Sequence, residues 1–439
     1  MEYQMIRGLA KNLFFRLLNG LSESHLEIVC PKDTYTFGSQ QAKLKAVVAV
    51  HNERFFEQAL FGGDTGVGES YMQGEWSSPD LVSVVRMAVR NLDRIGNGNR
   101  IFSTLSSILD AVKHQFRGNS VTGSRRNISH HYDLGNDFYR LFLDSSMAYS
   151  CAYYRTPEDS LEQAQAHKFE RICRKLRLQP TDHVLEIGTG WGGFAMYAAK
   201  KYGCRITTTT ISQHQYDYAR ALFQKSGEES NRITLLLEDY RNLRGQFDKI
   251  VSIEMFEAVG LKYYDTYFSI CDRLLTPDGI MFLQAITMNE QKFSEYQKRC
   301  DWIQKYIFPG AELASLAEVL KSLGRCTRLS LHNAEDIGLH YAETLKAWRE
   351  RFLAHLAEVK ALGFDETFIR MWEYYLAYCE GAFREGYVGE IQVVLKKQRA
   401  QVPLLFEAGK FDDGMRLVTQ IRSRPLPDPL LADGASRRP

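Results

Sequence analysis

The 439-residue sequence lacks several features that would point to particular classes of protein. No apolar run approaches the roughly 20 residues that cross a bilayer as a helix, so we expect no transmembrane segment. The formal net charge is only +2, without the strong basic excess that is typical of nucleic-acid-binding proteins. We therefore expect a globular protein that has no nucleic-acid partner.

Cysteine is present, but its spacing indicates neither disulfides nor zinc. The eight cysteines contain no C-x-x-C pair, which argues against both kinds of site and fits a reducing compartment. His130 and His131 are adjacent, but no cluster of Asp, Glu or Cys completes a metal site with them, so we predict no metal. Arg16 interrupts the short apolar stretch near the N-terminus, and no small-residue cleavage site follows. We expect no signal peptide and a cytoplasmic location.

The length suits two domains rather than one. Residues 1–115 predict a small N-terminal domain that opens with an amphipathic helix and a β-hairpin, and the glycine-rich residues 62–68 predict a turn. Residues 116–128 are polar and contain glycine, which is typical of a linker. Residues 129–400 form the predicted main domain. Residues 401–439 form an extension, and its end holds four of the eleven prolines and is predicted to be disordered.

From about residue 160 the sequence alternates between short β-type and helical segments. This alternation implies right-handed βαβ units and a parallel sheet with helices on both faces. After Pro309 the pattern is mostly helical, which predicts a cap over the sheet. The predicted strands cover residues 183–187, 205–210, 233–237, 249–253 and 280–286.

A glycine-rich loop follows the first of these strands and opens the next helix. Gly188, Gly190 and Gly192 let the backbone pass close to a ligand, and the helix N-terminus supplies free N–H groups. The spacing is G-x-G-x-G, whereas a dinucleotide site has G-x-G-x-x-G and an acid about 20 residues later. Here the acid, Glu186, precedes the loop. This form indicates S-adenosylmethionine, whose ammonium group needs an acid.

Polar residues after the next two strands complete the predicted cofactor site. Thr210 and Gln215 follow the second strand and could hydrogen-bond the ribose hydroxyls. Asp239 and Tyr240 follow the third strand and could hold the adenine, the acid on its amino group and the ring on its face. The alternative from the residues alone is a glycine turn with polar strand ends in an unrelated α/β protein.

Five motifs follow one another along the chain, at residues 129–139, 149–154, 184–193, 254–260 and 306–310. Together they resemble the cyclopropane-fatty-acyl-phospholipid synthase family, which includes the mycolic acid cyclopropane synthases. The resemblance runs over residues 129–396 and, less distinctively, over residues 1–115. It implies an α/β fold, a seven-stranded Rossmann-like class I methyltransferase domain, preceded by a small mixed α+β domain that binds lipid.

The resemblance also implies the cofactor contacts and the reaction. A double bond in an acyl chain of a membrane phospholipid attacks the sulfonium methyl of S-adenosylmethionine. A carbocation forms on the chain, and loss of a proton from the new methyl closes a three-membered ring. By likeness to the family, the protein lies on the inner face of the membrane and could be a homodimer. The implied cofactor contacts are Tyr149, Ser150, residues 184–192, residues 210–215 including Ser212, Tyr240 and Arg241.

The proton must be taken by a base, and in this family the base is a bound bicarbonate. Gln284 stands where the family has a histidine. An amide can donate a hydrogen bond to an anion, but it cannot carry a proton or a positive charge. The positions that match the family's bicarbonate site are Cys151, Glu257, Gln284 and Tyr341, together with the backbone of Ile286; a second family cysteine matches Cys379.

Because of Gln284, two products stay open. One is a cyclopropane fatty acid, and the other is an uncyclised product that is methyl-branched or still unsaturated. Two rival functions are a methyltransferase for a soluble small molecule and a non-catalytic lipid-binding protein that keeps the cofactor fold. The lipid-family motifs argue against the first rival, and the intact glycine loop and acids argue against the second.

Overall fold

The computed structural model describes residues 2–21, 23–92 and 134–401, with side chains described from residue 8 onward. The described residues up to Ala400 belong to one compact unit. The predicted domain boundary at residue 115, the predicted linker, the pair His130 and His131, and residues 402–439 lie outside the described residues.

Among the described residues up to position 92, the N-terminal region combines a small sheet with four helices. The predicted first helix and hairpin are confirmed, because β1 and β2 pair antiparallel. The sheet order is β2-β1-β3-β4, and β3 lies parallel to β1. The elements are α1 (Glu2–Leu18), β1 (Ser24–Val29), β2 (Thr34–Gly38), β3 (Leu44–Val50), α2 (Arg54–Phe61), α3 (Gly63–Met72), β4 (Trp76–Ser77) and α4 (Leu81–Arg90).

The predicted turn in the glycine-rich segment after α2 is wrong, because this segment forms helix α3. Glycine is a poor helix former, so its abundance favoured a turn. Here the glycines permit close packing instead. A Cβ on Gly66 would lie 2.1 Å from the backbone oxygen of Gln58, and a Cβ on Gly68 would lie 2.4 Å from the ring of Trp302. Tertiary contact therefore overrides the local propensity.

The remaining described residues form a seven-stranded sheet with helices on both faces. The strands are β5 (His183–Ile187), β6 (Arg205–Thr210), β7 (Ile233–Leu237), β8 (Phe247–Ile253), β9 (Leu275–Met288), β10 (Leu329–Asp336) and β11 (Val388–Lys397). The helices are α5 (Asn136–Arg140), α6 (Leu161–Leu176), α7 (Gly193–Tyr202), α8 (Gln213–Gln224), α9 (Tyr264–Leu274), α10 (Glu290–Tyr296), α11 (Trp302–Tyr306), α12 (Leu316–Cys326), α13 (Gly338–Ala354), α14 (Leu356–Ala361) and α15 (Glu366–Arg384). Short 3₁₀ helices cover Gly227–Arg232, Tyr240–Asn242, Phe256–Ala258 and Leu261–Tyr263.

The strand order is β10-β11-β9-β8-β5-β6-β7, and the five predicted strands, from β9 to the edge strand β7, pair parallel with one another. The predicted α/β class, with a seven-stranded Rossmann-like class I methyltransferase domain after a small mixed α+β region, is confirmed. Because β6, β5 and β8 are parallel neighbours, their carboxyl ends meet at one edge of the sheet. Ligands of open α/β sheets bind at this edge.

The sheet is not wholly parallel, because β10 and β11 run antiparallel to their neighbours. The mostly helical C-terminal pattern gave no sign of these two strands. β10 is an edge strand with many exposed positions, so it lacks the apolar run of a buried strand. β11 is buried but carries the polar residues Glu390 and Gln392 at its centre. Both strands depend on the sheet for their conformation.

Helix α15 joins the two regions of the unit. It packs against α3 and α4 on one side and against α13 on the other. Its aromatic residues belong to one core cluster with α5, in which the rings of Phe138 and Trp372 lie 4.7 Å apart. Among the described residues, no helix combines the length and apolar character needed to cross a membrane.

Candidate active site

The glycine loop lies between β5 and α7 and forms one end of a single continuous cavity. Gly188, Gly190 and Gly192 all have positive φ values, 104°, 53° and 92°, a region that favours glycine. A Cβ on Gly188 would lie 3.0 Å from Met255, whereas a Cβ on Gly190 would meet no protein atom within 4 Å. Gly190 lines the cavity. The loop therefore leaves room for a ligand beside Gly190.

Glu186 is the buried acid of this end of the cavity. It lies at the carboxyl end of β5 and accepts a 2.6 Å hydrogen bond from the hydroxyl of Thr208. Burial raises the pKa of Glu186 to about 8, and the Thr208 hydrogen bond only partly opposes this. A cationic ligand group would restore the charged form of such a carboxyl. The position therefore fits the predicted contact with an ammonium group.

The loops after β6 and β7 supply the other predicted cofactor residues. The hydroxyl of Thr210 donates a 2.8 Å hydrogen bond to the side chain of Gln215, so these two residues already orient each other. Asp239 accepts hydrogen bonds from the guanidinium of Arg241 at 2.7 and 2.8 Å. Tyr240 packs edge-on against Tyr267. The hydrogen bonds from Arg241 therefore fix the orientation of the Asp239 carboxylate.

Most of the predicted cofactor residues line the cavity; those that do not are Val184, Leu185, Gly192, Ser212, Gln213 and His214. Gly192 begins α7, and a Cβ there would lie 2.8 Å from the ring of Phe223. Ser212 caps α8 by accepting a hydrogen bond from the backbone N–H of Gln215. Both residues therefore support the walls of the site, and their direct contact with the cofactor stays a prediction.

The other end of the cavity is aromatic and is covered by α15. The hydroxyls of Tyr149 and Tyr375 lie 2.9 Å apart where the two ends meet. Further along, the lining is formed by Phe308, Tyr378 and Phe383. This end has the apolar surface and aromatic faces that an acyl chain and a developing positive charge require.

A carboxylate that the sequence analysis did not assign to the site lies between the two ends. Glu254 follows β8 directly, and its Oε1 accepts 2.7 Å and 2.8 Å hydrogen bonds from the backbone N–H of Cys151 and the amide of Gln284. Its Oε2 accepts a 2.7 Å hydrogen bond from the hydroxyl of Tyr341. Three of the predicted anion-binding positions therefore converge on one side chain of this chain.

Glu257 lies beside this cluster and lines the same cavity. Its Oε1 accepts a 2.6 Å hydrogen bond from the backbone N–H of Ile286, while its Oε2 has no hydrogen-bond partner among the described residues. Burial raises the pKa of Glu257 to about 8, and the neighbouring Glu254 raises it further. Glu257 and Ile286 thus lie together as predicted. However, the backbone N–H of Ile286 is bonded to Glu257 and is not directed at an open anion site.

The two predicted cysteines differ in what they present to the cavity. The thiol of Cys151 is fully buried, points at the backbone oxygen of Ala152 and does not line the cavity. Burial raises its pKa well above the ordinary value, so its contribution to the site is its backbone N–H. Cys379 does line the cavity, and burial raises its pKa too. Neither thiol has the lowered pKa of a reactive cysteine.

Sequence reasoning missed three titratable groups around this point: Glu254, Glu390 and Lys168. Glu254 stands at the carboxyl end of a parallel strand, where ligand sites form, and this signal was available. Glu390 interrupts an apolar strand, and a buried acid is costly without a role. Lys168 is fully buried on α6 and donates a 2.5 Å hydrogen bond to the hydroxyl of Ser150. Its burial could not be read from its sequence surroundings.

The arrangement matches a known family. Residues 119–393 match the family described as mycolic acid cyclopropane synthetase, which is more than half of the chain. The chain belongs to the mycolic acid cyclopropane synthetase family. As a member of it, the protein is an S-adenosylmethionine-dependent methyltransferase, and the expected resemblance is confirmed.

Relatives with described functions cover most of the chain. The protein is 40% identical over 343 residues to the tuberculostearic acid methyltransferase UfaA1 of Mycobacterium tuberculosis, covering 76% of this chain and 79% of that one. It is 39% identical over 358 residues to the cyclopropane-fatty-acyl-phospholipid synthase of Escherichia coli, covering 80% and 88%. The first relative is named for a methyltransferase and the second for a cyclopropane synthase, so the comparison leaves both product types open.

A solved structure of the same family has the same fold. The mycolic acid cyclopropane synthase CmaA1, complexed with S-adenosylhomocysteine and CTAB, is 33% identical and matches with a TM-score of 0.59. The match covers 62% of this chain and 98% of that one. In the present chain, the glycine loop with open space at Gly190 and the buried acid Glu186 fit S-adenosylmethionine. No cluster of His, Cys, Asp and Glu suited to a metal occurs in the described part of the chain.

Proposed function

We propose that this protein transfers a one-carbon unit from S-adenosylmethionine to the double bond of an unsaturated acyl chain in a membrane phospholipid, giving a cyclopropane fatty acid. The observation that carries the proposal is one continuous cavity that joins the glycine loop, the carboxylate cluster and an aromatic channel. A soluble polar substrate would leave the channel residues Phe308, Tyr378 and Phe383 without a matching surface. The phospholipid is supported by the Escherichia coli relative, which is named for that substrate.

The residues of the chain divide the work along the cavity. When bound, S-adenosylmethionine supplies an electrophilic methyl group. Glu186 would hold its ammonium group, and Thr210 and Gln215 its ribose, which fixes the methyl at the junction of the two ends. The rings of Tyr149, Tyr375 and the channel exclude water and present their faces to the positive charge that forms on the acyl chain.

A second product has a specific observation in its favour. Gln284 stands where the family has a histidine, and its amide donates to Glu254 rather than to an open anion site. An altered base can remove a proton from another carbon, which gives a methylated alkene without a ring. The 40% identical relative is named as a methyltransferase that forms tuberculostearic acid. The uncyclised product is therefore the second candidate.

Membrane binding and assembly belong to the same proposal. A substrate that resides in a bilayer requires the channel to open toward a membrane surface, and we place the protein peripherally on the inner face of the cytoplasmic membrane as a homodimer. Flotation with phospholipid vesicles measures membrane binding, and analytical ultracentrifugation measures dimer formation. Loss of flotation together with full activity on detergent-dispersed lipid would contradict the membrane part alone.

The decisive experiment follows the methyl hydrogens. Purified protein is incubated with phospholipid vesicles that carry mono-unsaturated chains and with S-adenosylmethionine bearing a fully deuterated methyl group, and the fatty acids are separated by gas chromatography and mass spectrometry. A ring product keeps two of the three deuteriums, while a methylated alkene made by proton loss from a chain carbon keeps all three. Labelled acyl chains support the proposal, and their pattern assigns the product. No labelled lipid, with S-adenosylmethionine bound in calorimetry, would refute it.

A further inference from the structure

The carboxylate of Glu254 is held by three donors that come from separate parts of the chain. They are the N–H of Cys151, the amide of Gln284 and the hydroxyl of Tyr341, all within 2.8 Å of its oxygens. The residue also has φ 47°, a left-handed conformation that is uncommon for a residue other than glycine. Such strain persists where the surrounding structure demands it, and it is concentrated at functional sites.

Two further acids crowd this carboxylate and keep their protons. Burial raises the pKa of Glu257 to about 8 and raises the pKa of Glu390 well above its ordinary value, and Glu254 adds to both shifts. Three carboxylates this close cannot all be ionised. The buried ammonium group of Lys168 offsets part of the negative charge, and Glu254 raises its pKa against the lowering by burial. Of the three acids, Glu254 is the one whose oxygens accept hydrogen bonds from three donors, an arrangement that favours a carboxylate at this position.

The same donors were expected to bind bicarbonate. Cys151, Gln284 and Tyr341 now use their hydrogen bonds on Glu254, and Ile286 uses its N–H on Glu257. Bicarbonate placed there would meet a fixed carboxylate at hydrogen-bond distance from every donor. Two anions in one buried site repel each other strongly. The residues of this chain therefore do not fit a bound bicarbonate.

We infer that Glu254 is the general base of the reaction, built into the chain at the place where an added anion would otherwise bind. This inference rests on the proposed function. Once the one-carbon unit has joined the acyl chain, a carbocation remains beside the new methyl group. A C–H bond of that methyl breaks, its electron pair forms the closing C–C bond of the ring, and the proton passes to a carboxylate oxygen of Glu254. The resulting carboxylic acid returns the proton to solvent after the product has left.

Glu390 acts through Glu254 and is a positioning residue. It is fully buried on β11 beside Glu254 and Gln284, and its pKa is raised well above the ordinary value, first by burial and then by Glu254. A protonated neighbour can donate a hydrogen bond to the carboxylate and fix its orientation. Glu390→Gln keeps a donor at this place, so we expect it to retain most of the activity, with a changed pH profile.

The first test compares purified wild type with Glu254→Gln in buffer freed of carbon dioxide, with and without added bicarbonate. We expect full wild-type activity without bicarbonate. General bases typically contribute about 10² to 10⁴ in rate, so we expect Glu254→Gln to lose at least about a hundredfold in turnover. Its affinity for S-adenosylmethionine by calorimetry should stay unchanged. Glu228→Gln is the matched control, because Glu228 is exposed and lies away from the cavity.

The second test reopens the anion site. The double variant Glu254→Gly and Gln284→His removes the internal carboxylate, relieves the positive φ and restores the family's histidine. We expect ¹³C-bicarbonate to bind this variant in NMR titrations without any cofactor present, and bicarbonate to restore part of the lost activity. Wild type should show no bound signal.

The outcomes separate the inference from the proposed function. If wild type depends on bicarbonate, binds it in the NMR titration, or keeps its activity as Glu254→Gln, the inference is wrong while the lipid product stands. If wild type labels no lipid at all, the proposed function is wrong. The NMR titration then still decides whether Glu254 excludes the anion.

Discussion

The cofactor end and the base end of the cavity are assembled from different kinds of contact. At the cofactor end, most groups come from the end of a parallel strand or the short segment after it, such as the glycine loop after β5 or the pair Asp239 and Arg241 after β7. At the base end, the groups come from points far apart in the chain, so that Glu254 meets Cys151 103 positions earlier and Tyr341 87 positions later.

This difference separates binding from chemistry. Local segments fix the cofactor end, so a change there should alter cofactor affinity and leave the base cluster intact. The base end depends on β8, β9, β11 and α13 packing together, so a change there should alter turnover at nearly constant affinity. Residues in one hydrogen-bonded network couple, while residues in separate clusters act additively. The following substitutions test the division, beginning with the largest expected effect.

Glu186→Gln should weaken S-adenosylmethionine binding by about 10- to 150-fold, because a hydrogen bond to a charged group contributes about 1.5–3 kcal/mol. The folded pKa of about 8 lies above the ordinary value of 4.5, so the folded chain keeps a proton that the unfolded chain releases. Stability therefore falls as pH rises from about 4.5 to about 8. The substitution should remove this dependence and raise the melting temperature at pH 8.

Calorimetry in buffers of different ionisation heat checks the same prediction, because binding near neutral pH should release the proton of Glu186. The variant should show no such release. If Glu186→Gln binds the cofactor normally, the acid does not contact the ammonium group. If it instead lowers turnover without changing affinity, the two ends of the cavity are not independent.

Tyr341→Phe should lower turnover by about tenfold and leave the affinity for S-adenosylmethionine unchanged. The substitution removes one of the three hydrogen bonds to Glu254 but keeps the ring, which packs 4.6 Å from that of Phe383. Steady-state kinetics with vesicle substrate measures the turnover. A variant with normal turnover would show that Glu254 does not need this donor. A variant with weaker cofactor binding would show that the two ends of the cavity are energetically coupled.

Gly190→Ala should weaken cofactor affinity by about fivefold, and the positive φ of this position should cost about 1–2 kcal/mol of stability. The new methyl group meets no protein atom and projects into the space for the cofactor. Gly227→Ala is the matched control, because Gly227 is exposed, has φ 70° and lies away from the cavity, so it carries a similar backbone penalty. Equal affinity in both variants would mean that the cofactor does not approach Gly190. Calorimetric titration measures both.

Much of the fold was readable from the sequence. The strands at His183–Ile187, Arg205–Thr210 and Ile233–Leu237 occur at their predicted bounds, because β-branched and apolar residues between turn signals leave little choice. The glycine-rich helix α3 was missed because its glycines serve contacts with α2 and α11. The edge strand β10 was missed because its half-exposed pattern carries no apolar run.

The candidate site likewise contains residues that a local pattern predicts and residues whose role depends on tertiary contacts. Glu186 and the loop glycines were found from their position between a strand and a helix, which is a local pattern. In the sequence, Gln284 stands out only as a departure from the family, and its partner Glu254 lies in a family motif without an expected role. Their contact depends on the sheet, because β8 and β9 lie side by side and bring the amide of Gln284 within 2.8 Å of the carboxylate of Glu254.

The sequence by itself determined the strand–helix alternation, the cofactor loop and the family, because each depends on residues that are neighbours in the chain and on their conformational preferences. Only the tertiary structure decided which acid receives the three hydrogen bonds and what the anion-binding positions hold. Those properties depend on burial and on the distances between groups from different strands. A buried cluster sets its protonation by the total charge it can stabilise, and that total exists only after Glu254, Glu257, Glu390 and Lys168 have come together.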